Sequence, residues 1–318
     1  MRYQGEDRVP WRRRTVFWLI PVVLLTAPAA WWGLNGGTGP QDGPAVSDYA
    51  AILDVPPGGP PPSAAPDGSA GSYRHDCGRN ENGFYSSESF FAVPGERDGK
   101  RPLRDYLGNL SVDRHTTDAS LAAAEPTSCR FGDQSTYFWP VLRSVDGTRG
   151  RILPPADVRM EFLGNPRSKV VAMPRFLRLV TGDARAVTSG PAFARSRWAC
   201  AGYGQRSTAK YPLCPDGTVQ RVIEYPSCWN GHDLRSGDAR SHTAFPGADG
   251  RCPAGTLAIP KLVVTLAYTG IRPGRTFALD AFPGERRSPQ TEHAGFENVM
   301  PSRLMAVIVD CINDGRAC

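Results

Sequence analysis

The sequence lacks the short motifs that announce common catalytic chemistry. It has no G-x-S-x-G nucleophile elbow, no H-E-x-x-H or H-x-x-x-H histidine pair, and no phosphate-binding or dinucleotide-binding glycine pattern. C-x-x-C is also missing, so the usual ligand spacing of a structural zinc site is absent. These absences disfavour serine hydrolases, zinc proteases and nucleotide-dependent enzymes, and we predict neither a cofactor nor a metal.

No long lysine or arginine run occurs, although the net charge is +6. Much of the positive excess lies in the first 14 residues, where the acidic residues are only Glu6 and Asp7. The five arginines of this segment are Arg2, Arg8, Arg12, Arg13 and Arg14. The remaining charges of both signs are interspersed. Nucleic-acid binding requires a basic patch or stripe, so we predict no nucleic-acid partner.

Regular alternation of helix and strand is missing as well, which disfavours a doubly wound sheet. The 34 glycines and 30 prolines are typical of a strand-rich fold with many turns. Runs rich in Val, Ile, Phe and Tyr predict strands at residues 89–93, 136–142, 158–163, 176–180, 219–225 and 262–269. The predicted fold class is therefore mainly β: an antiparallel β-sandwich or jelly-roll-like domain with long loops.

Short helices are predicted at two places. Thr117 and Asp118 can cap a helix over residues 119–124. A C-terminal helix is predicted after Pro301, because apolar residues recur at helical spacing and Gly315 follows as a stop signal.

Cysteine is absent from the first 76 residues, and all eight cysteines follow. An even number in an exported domain indicates disulfides. Pairing neighbours along the chain gives Cys77–Cys129, Cys200–Cys214, Cys228–Cys252 and Cys311–Cys318.

Charge is absent from residues 15–34, a length that can span a bilayer as a helix. Because arginines precede it, residues 1–14 are predicted to be a cytoplasmic basic N-terminus and the rest to lie outside. The alternative is a cleaved signal peptide, since Ala27-Pro28-Ala29 fits the small-x-small cleavage pattern. The protein would then be secreted instead of anchored in the cell membrane by a single pass.

A segment rich in Pro and Gly follows over residues 35–72. Such a composition buries too little apolar area to offset its ordering entropy, so it is predicted to be a disordered tether. Residues 73–318 are predicted to form the exported, disulfide-stabilised globular domain.

Several motifs in the globular part occur in a recognisable order: Cys77-Gly78-Arg79-Asn80-Glu81-Asn82-Gly83, Asp105-Tyr106-Leu107-Gly108-Asn109, Ser135-Thr136-Tyr137-Phe138-Trp139-Pro140, Pro226-Ser227-Cys228-Trp229-Asn230-Gly231, Arg240-Ser241-His242 and His293-Ala294-Gly295-Phe296-Glu297-Asn298. In this combination the chain resembles the exported bacterial and fungal domain-of-unknown-function family 1996. The resemblance implies secretion or surface attachment, and in some fungal relatives an association with cell walls or carbohydrates. It implies no established reaction.

One motif departs from that family. Its H-x-H-D-Y pattern is replaced here by Pro102-Leu103-Arg104-Asp105-Tyr106. An arginine can neither ligate a metal nor act as a base at ordinary pH. If the histidines carry an activity in relatives, this chain has lost it.

Five histidines are present, and two of them allow a catalytic hypothesis. Asp105, His242 and His293 would supply a proton donor, a base and its orienting group, as in a polysaccharide hydrolase or lyase. The same three side chains could hold a hard metal. The plainer alternative is that both histidines bond loop backbone.

The leading functional hypothesis is non-catalytic binding of cell-wall or extracellular polysaccharide. Trp229 is the best candidate for stacking on a sugar ring, because Asn230-Gly231 beside it should form an exposed turn. Polar residues near the motifs would bond sugar hydroxyls: Asn109, Asp233, Arg240 and Asn298. The expected partners are therefore wall polysaccharide and, through residues 15–34, the membrane.

Overall fold

The structure is a computed structural model, and it describes residues 43–88, 101–145, 150–271 and 273–318. The predicted N-terminus and hydrophobic segment, the first residues of the tether and the predicted strand at 89–93 all lie outside those ranges. Within them, no helix combines the length and the apolar character needed to cross a membrane.

Strands dominate the described residues: β1 (Tyr49–Ala51), β2 (Ser72–His75), β3 (Tyr85–Ser86), β4 (Arg104–Gly108), β5 (Thr136–Pro140), β6 (Leu142–Ser144), β7 (Ile152–Leu153), β8 (Asp157–Leu163), β9 (Arg178–Gly182), β10 (Trp198–Cys200), β11 (Ser207–Thr208), β12 (Tyr211–Leu213), β13 (Val219–Glu224), β14 (Cys228–Trp229), β15 (Thr243–Ala244), β16 (Leu257–Ala258), β17 (Lys261–Tyr268), β18 (Phe277–Leu279) and β19 (His293–Glu297). The α-helices are α1 (Asp118–Ala123) and α2 (Ser302–Asn313). Short 3₁₀ helices lie at Val46–Asp48, Ile52–Asp54, Arg130–Gly132, Pro191–Phe193 and Pro289–Thr291.

A six-stranded antiparallel sheet has the order β11-β10-β13-β17-β8-β2. Strand β13 alternates between buried and half-buried residues, so one face of the sheet packs inward and the other meets solvent. Val219, Arg221 and Ile223 lie on the inner face of this strand, and Glu224 lies on the outer one.

A five-stranded antiparallel sheet has the order β3-β4-β5-β19-β9. Strands β4, β5 and β19 are buried at every residue, because both faces of this sheet are covered. One face joins the main core through Leu107, Tyr137 and Phe296. The other carries a smaller apolar cluster that includes Tyr106 and Phe138.

The two large sheets share one core in a sandwich-like arrangement. Phe162 of β8 and Phe296 of β19 lie 6.4 Å apart between ring centroids, and Tyr225 meets the same Phe296 ring at 6.3 Å. Buried aromatic rings in such tilted and edge-on contacts add to the apolar area that stabilises the core. The prediction of a mainly β, antiparallel fold is confirmed.

Both predicted helices are present. Thr117 caps α1, because its side chain accepts a hydrogen bond from the Ser120 amide while the Ser120 hydroxyl accepts one from the Thr117 amide. Helix α2 buries one apolar stripe, as the spacing predicts: Leu304, Met305, Ile308, Cys311 and Ile312.

All four predicted disulfides form with the predicted partners: Cys77–Cys129, Cys200–Cys214, Cys228–Cys252 and Cys311–Cys318. They close loops of 52, 14, 24 and 7 residues in sequence separation. Four such bonds indicate an oxidising environment outside the cytoplasm.

The prediction of a disordered tether is wrong for residues 43–72. Strand β1 pairs in parallel with β12, and the Tyr49 hydroxyl donates to the Phe277 carbonyl at 2.7 Å. Ile52 is fully buried in the main core. Further along, the Ser69 amide donates to the Asn165 carbonyl. A few well-spaced apolar and aromatic residues therefore fix a stretch whose average composition indicates disorder.

Candidate functional site

Asp105 and His293 lie on the five-stranded sheet, but their side chains point to opposite faces. Arg104 pairs with Pro140 of β5, and the Arg104 side chain reaches across that strand to His293. Since adjacent residues of a strand point to opposite faces, Asp105 faces away from both. The fold therefore does not assemble the predicted group of Asp105, His242 and His293.

His293 is a neutral imidazole held by two hydrogen bonds. Its Nδ1 donates to the Thr291 carbonyl at 2.9 Å, and its Nε2 accepts from Nε of Arg104 at 3.3 Å. Burial lowers the pKa of His293 to about 3, and the Arg104 guanidinium lowers it further within that shift. Burial, with the help of the neighbouring Arg104, thus keeps His293 uncharged.

Asp105 lies against the main core. Its Oδ1 accepts from Nδ2 of Asn80 at 2.6 Å, and Trp139 is its partner in the adjacent strand. Burial raises the pKa of Asp105 to about 7, and the bond from Asn80 only partly offsets this. A perturbed carboxyl often marks a functional site, but here no second titratable group of the predicted site faces it.

His242 hydrogen-bonds a backbone carbonyl, which agrees with the alternative prediction that the histidines bond backbone. Its Nε2 lies 2.7 Å from the Arg178 carbonyl, and its Nδ1 lies 2.9 Å from the Ser236 hydroxyl. Burial lowers the pKa of His242. These contacts attach the loop that contains His242 to the edge strand β9.

Two of the predicted ligand-binding residues are buried and bond backbone. Asn109 donates to the Leu121 carbonyl and accepts from the Ser111 amide. Asn298 donates to the carbonyls of Met173 and Pro174. Their buried side chains are engaged in holding loops, which is a correction to the prediction that they bind a ligand.

The other three predicted ligand-binding residues lie at the surface. The half-buried Trp229 donates from Nε1 to the Asp233 carbonyl at 2.6 Å. Arg240 donates to the Gly182 carbonyl and lies 4.7 Å above the Phe193 ring. The indole of Trp229 is thus oriented by its own loop, and Asp233 remains exposed beside it.

A cleft of about 570 Å³ opens beside the C-terminal end of β2, and Phe131 lies at its rim. Phe131 is 69% exposed and adopts a left-handed backbone conformation with φ 60° and ψ 25°. That conformation is rare for a bulky residue. The polar lining holds both signs of charge: Arg74, Asp76, Arg79, Glu81, Arg130 and Asp157.

The segment that carries Phe131 is fixed on both sides. Cys129 is bonded to Cys77, and the Asp133 carboxylate accepts from the Tyr137 hydroxyl and lies 2.9 Å from Nε2 of His75. These anchors are buried. A strained, exposed residue persists only where its surroundings over-determine it, and such residues cluster at ligand-binding sites.

The polar groups around Phe131 are arranged in accessible ion pairs. Arg79 bonds Glu81 at 3.0 Å and Arg130 bonds Asp76 at 2.9 Å, and all four side chains are more than half exposed. Pairs of this kind are weak in water and can exchange partners with a polyhydroxylated ligand. The sequence alone does not single out Phe131 as a site residue, because the fold, not the residue type, dictates its backbone conformation. A phenylalanine before a glycine, between a cysteine and an aspartate, was the available signal.

A second, half-open cleft of about 360 Å³ lies on the outer face of the six-stranded sheet. Arg195 lies 4.5 Å above the Phe245 ring at its edge, and Glu224 bonds Lys261 at 3.1 Å within the same surface. Burial would raise the pKa of Glu224, but the charges of Lys261 and Arg197 prevail and lower it. The carboxylate is therefore ionised, which suits ligand binding better than proton donation.

The fold and these clefts define a disulfide-linked, mainly β domain with polar clefts flanked by aromatic residues. The chain belongs to the family described as a domain of unknown function (DUF1996), whose model matches residues 94–288, more than half of the chain. That range contains Asp105 and Phe131, whereas His75 and His293 fall outside it. Comparison with curated proteins and with solved structures gives no match.

Proposed function

We propose that this protein is a non-catalytic surface domain that binds cell-wall or extracellular polysaccharide in the cleft beside Phe131. The observation that carries the proposal is the exposed, left-handed Phe131 above a lining of charged hydrogen-bonding groups. An aromatic face packs on the C–H face of a sugar ring, while carboxylates and guanidinium groups bond its hydroxyls.

The left-handed backbone of Phe131 has an energetic cost. A non-glycine residue in this region costs on the order of 1–3 kcal/mol. Burial of the ring offsets only a small part of that cost, since 69% of the residue's surface meets solvent. A bound ligand that covers the ring would supply the missing apolar contact.

The location is part of the proposal. The disulfides favour the oxidising outside of the cell. We propose that residues 15–34 either anchor the chain in the membrane or are removed as a signal peptide. Extraction of cells with carbonate, followed by N-terminal sequencing of the mature chain, distinguishes the two.

The separation of Asp105 from His293 favours binding over hydrolysis. A hydrolase or lyase that uses Asp105, His242 and His293 needs them within hydrogen-bond reach of one substrate. His293 is instead held neutral beside Arg104 on the opposite side of the sheet from Asp105.

The test is co-sedimentation of the full-length protein, in mild detergent, with insoluble wall polysaccharides. The Phe131→Ala variant should bind at least about tenfold more weakly, which corresponds to about 1.4 kcal/mol. The Phe131→Gly variant should lose binding equally while gaining stability, because glycine adopts the left-handed conformation without strain. Phe193→Ala is the matched control, since Phe193 is also an exposed phenylalanine in a 3₁₀ helix.

Undiminished binding by Phe131→Ala would contradict the assignment of the cleft. Release of soluble sugar by the wild-type protein, lost in Asp105→Asn, would contradict a non-catalytic function.

A further inference from the structure

Four side chains that ligate metals converge beneath the Phe131 loop. One ligand atom from each of His75, Cys77, Cys129 and Asp133 lies within 4.8 Å of all the others. Nε2 of His75 and Oδ2 of Asp133 are 2.9 Å apart. All four residues are buried, and the side chains of His75 and Asp133 have no solvent exposure.

The cluster contains a polar atom with no bonding partner among the described residues. Nδ1 of His75 is buried and makes no hydrogen bond there. An unsatisfied buried polar atom carries a desolvation cost, and a function is one common reason for it. The imidazole therefore has capacity to donate a lone pair to a ligand.

The donor set matches zinc. Two thiolates, an imidazole and a carboxylate are the donor set of a tetrahedral site of the type that Zn²⁺ prefers. For both His75 and Asp133 to bond one ion, the hydrogen bond between Nε2 and Oδ2 would have to open so that each group turns to the metal. The ligands come from His75-x-Cys77 and from Cys129 with Asp133 four residues later, so the absence of C-x-x-C does not exclude them. The fold, through β2 and the turn before β5, brings the two halves together.

We propose that these four side chains bind one zinc ion when the Cys77–Cys129 disulfide is reduced. A dithiol protein or small dithiol transfers two electrons and two protons to the disulfide, becoming a disulfide itself, and leaves two thiols. Zn²⁺ then displaces both thiol protons as two Zn–S bonds form. The Cys77–Cys129 pair thus alternates between a covalent and a metal-bridged link, and either one fixes the loop that carries Phe131.

A reductant would reach the buried disulfide from the cleft described above, which borders the cluster although neither cysteine lines it. His75, Asp76 and Gly78 line that cleft, together with Arg130, which follows Cys129. The inference is independent of the proposed function, since it depends only on the buried donors and not on what binds beside Phe131.

The experiment uses the full-length protein in mild detergent, reduced with a phosphine in the absence of metal. Zinc is then titrated against a chromophoric chelator, and cobalt is used in parallel to report thiolate ligation and tetrahedral geometry by absorption. The reduced protein should bind one zinc tightly, with thiolate-to-cobalt charge-transfer absorption, and the oxidised protein should bind none.

The variants separate this site from the other cysteines. Cys77→Ser/Cys129→Ser should abolish the cobalt absorption of the tight site, and Cys200→Ser/Cys214→Ser should leave it intact. His75→Gln, which preserves volume, should weaken zinc binding by more than roughly tenfold, a loss that even supporting residues of metal sites cause. Circular dichroism checks that each reduced variant retains its strands.

Four results would overturn the inference. The reduced wild-type protein fails to bind zinc, or it unfolds and zinc does not restore its structure. Zinc binding survives Cys77→Ser/Cys129→Ser, or it is unaffected by both His75→Gln and Asp133→Asn.

Discussion

Nε of Arg104 lies 3.3 Å from Nε2 of His293, across the central strand β5 of the five-stranded sheet. The guanidinium faces the one nitrogen of His293 that could accept a proton, because Nδ1 already donates to the Thr291 carbonyl. Burial first, and this neighbouring cation second, lower the pKa of His293 to about 3, so the imidazole is neutral at physiological pH.

The first prediction follows from that contact. Replacing Arg104 by glutamine should raise the pKa of His293 from about 3, because a nearby positive charge is removed. The pKa should stay below the ordinary value of 6.5, since burial is the larger cause. Titration of the imidazole proton resonances by NMR measures the shift. Arg235→Gln, at an exposed ion pair with Asp118, is the control and should leave His293 unchanged.

The same shift has a defined effect on stability. The unfolded chain protonates this histidine as pH falls below about 6.5, whereas the folded chain does so only near 3. The contribution of His293 to stability is therefore complete above pH 6.5 and is lost as pH falls toward 3. Arg104→Gln should reduce this acid sensitivity in urea unfolding, and an unchanged acid limb would contradict the argument.

A second prediction concerns Asp105, whose contribution to stability changes with pH in the opposite direction to that of His293. Its folded-state pKa is raised from 3.8 to about 7 by burial, so between these values the folded protein holds a proton that the unfolded chain releases. Stability from this group is present below pH 3.8 and is lost as pH rises through 7. Asp105→Asn should be more stable than wild type at pH 8 by up to about 4 kcal/mol, at 1.36 kcal/mol per pKa unit.

Urea unfolding between pH 4 and 8 measures that difference. Glu297, whose pKa burial also raises to about 7, should add a similar slope, so Asp105→Asn/Glu297→Gln should remove the fall and leave the rise that His293 contributes up to pH 6.5. A wild-type profile that does not fall over this range would contradict both assignments.

The sequence predicted the elements with strong local signals. Helix α2 follows from its apolar spacing, and β17 and β13 follow from runs of β-branched residues. The disulfides also followed from chain order, because each pair joins cysteines that are consecutive along the chain.

The site required information that a sequence does not carry. Whether Asp105 and His293 share a face depends on strand register, and one residue of register reverses every side chain. The ordering of residues 43–72 depends on the pocket that receives Ile52, which the rest of the fold supplies. The left-handed backbone of Phe131 is likewise imposed by its anchors at Cys129 and Asp133.

A third prediction concerns the buried pair of Arg221 and Glu292. Both Nε and Nη2 of Arg221 bond the Glu292 carboxylate, and Nη1 donates to the Pro140 carbonyl. Arg221→Met should destabilise the protein by about 3–5 kcal/mol, because it leaves a buried carboxylate without its cation. Arg221→Met/Glu292→Met should recover much of this loss, as measured in a double-mutant cycle of urea unfolding. If the loss of stability in the double variant equals the sum of the two single-variant losses, the two groups do not depend on each other.

The last prediction compares the longest and shortest disulfide loops. Cys77–Cys129 spans 52 residues and Cys311–Cys318 spans 7. In the chain-entropy model, their removal costs about 4 and about 2.4 kcal/mol, because the longer loop constrains the unfolded chain more. Thermal unfolding of Cys77→Ser/Cys129→Ser and Cys311→Ser/Cys318→Ser tests the order. A larger loss for the C-terminal pair would mean that native contacts outweigh loop entropy there, since Cys318 also bonds the backbone of Ser72 and Arg74 beside β2.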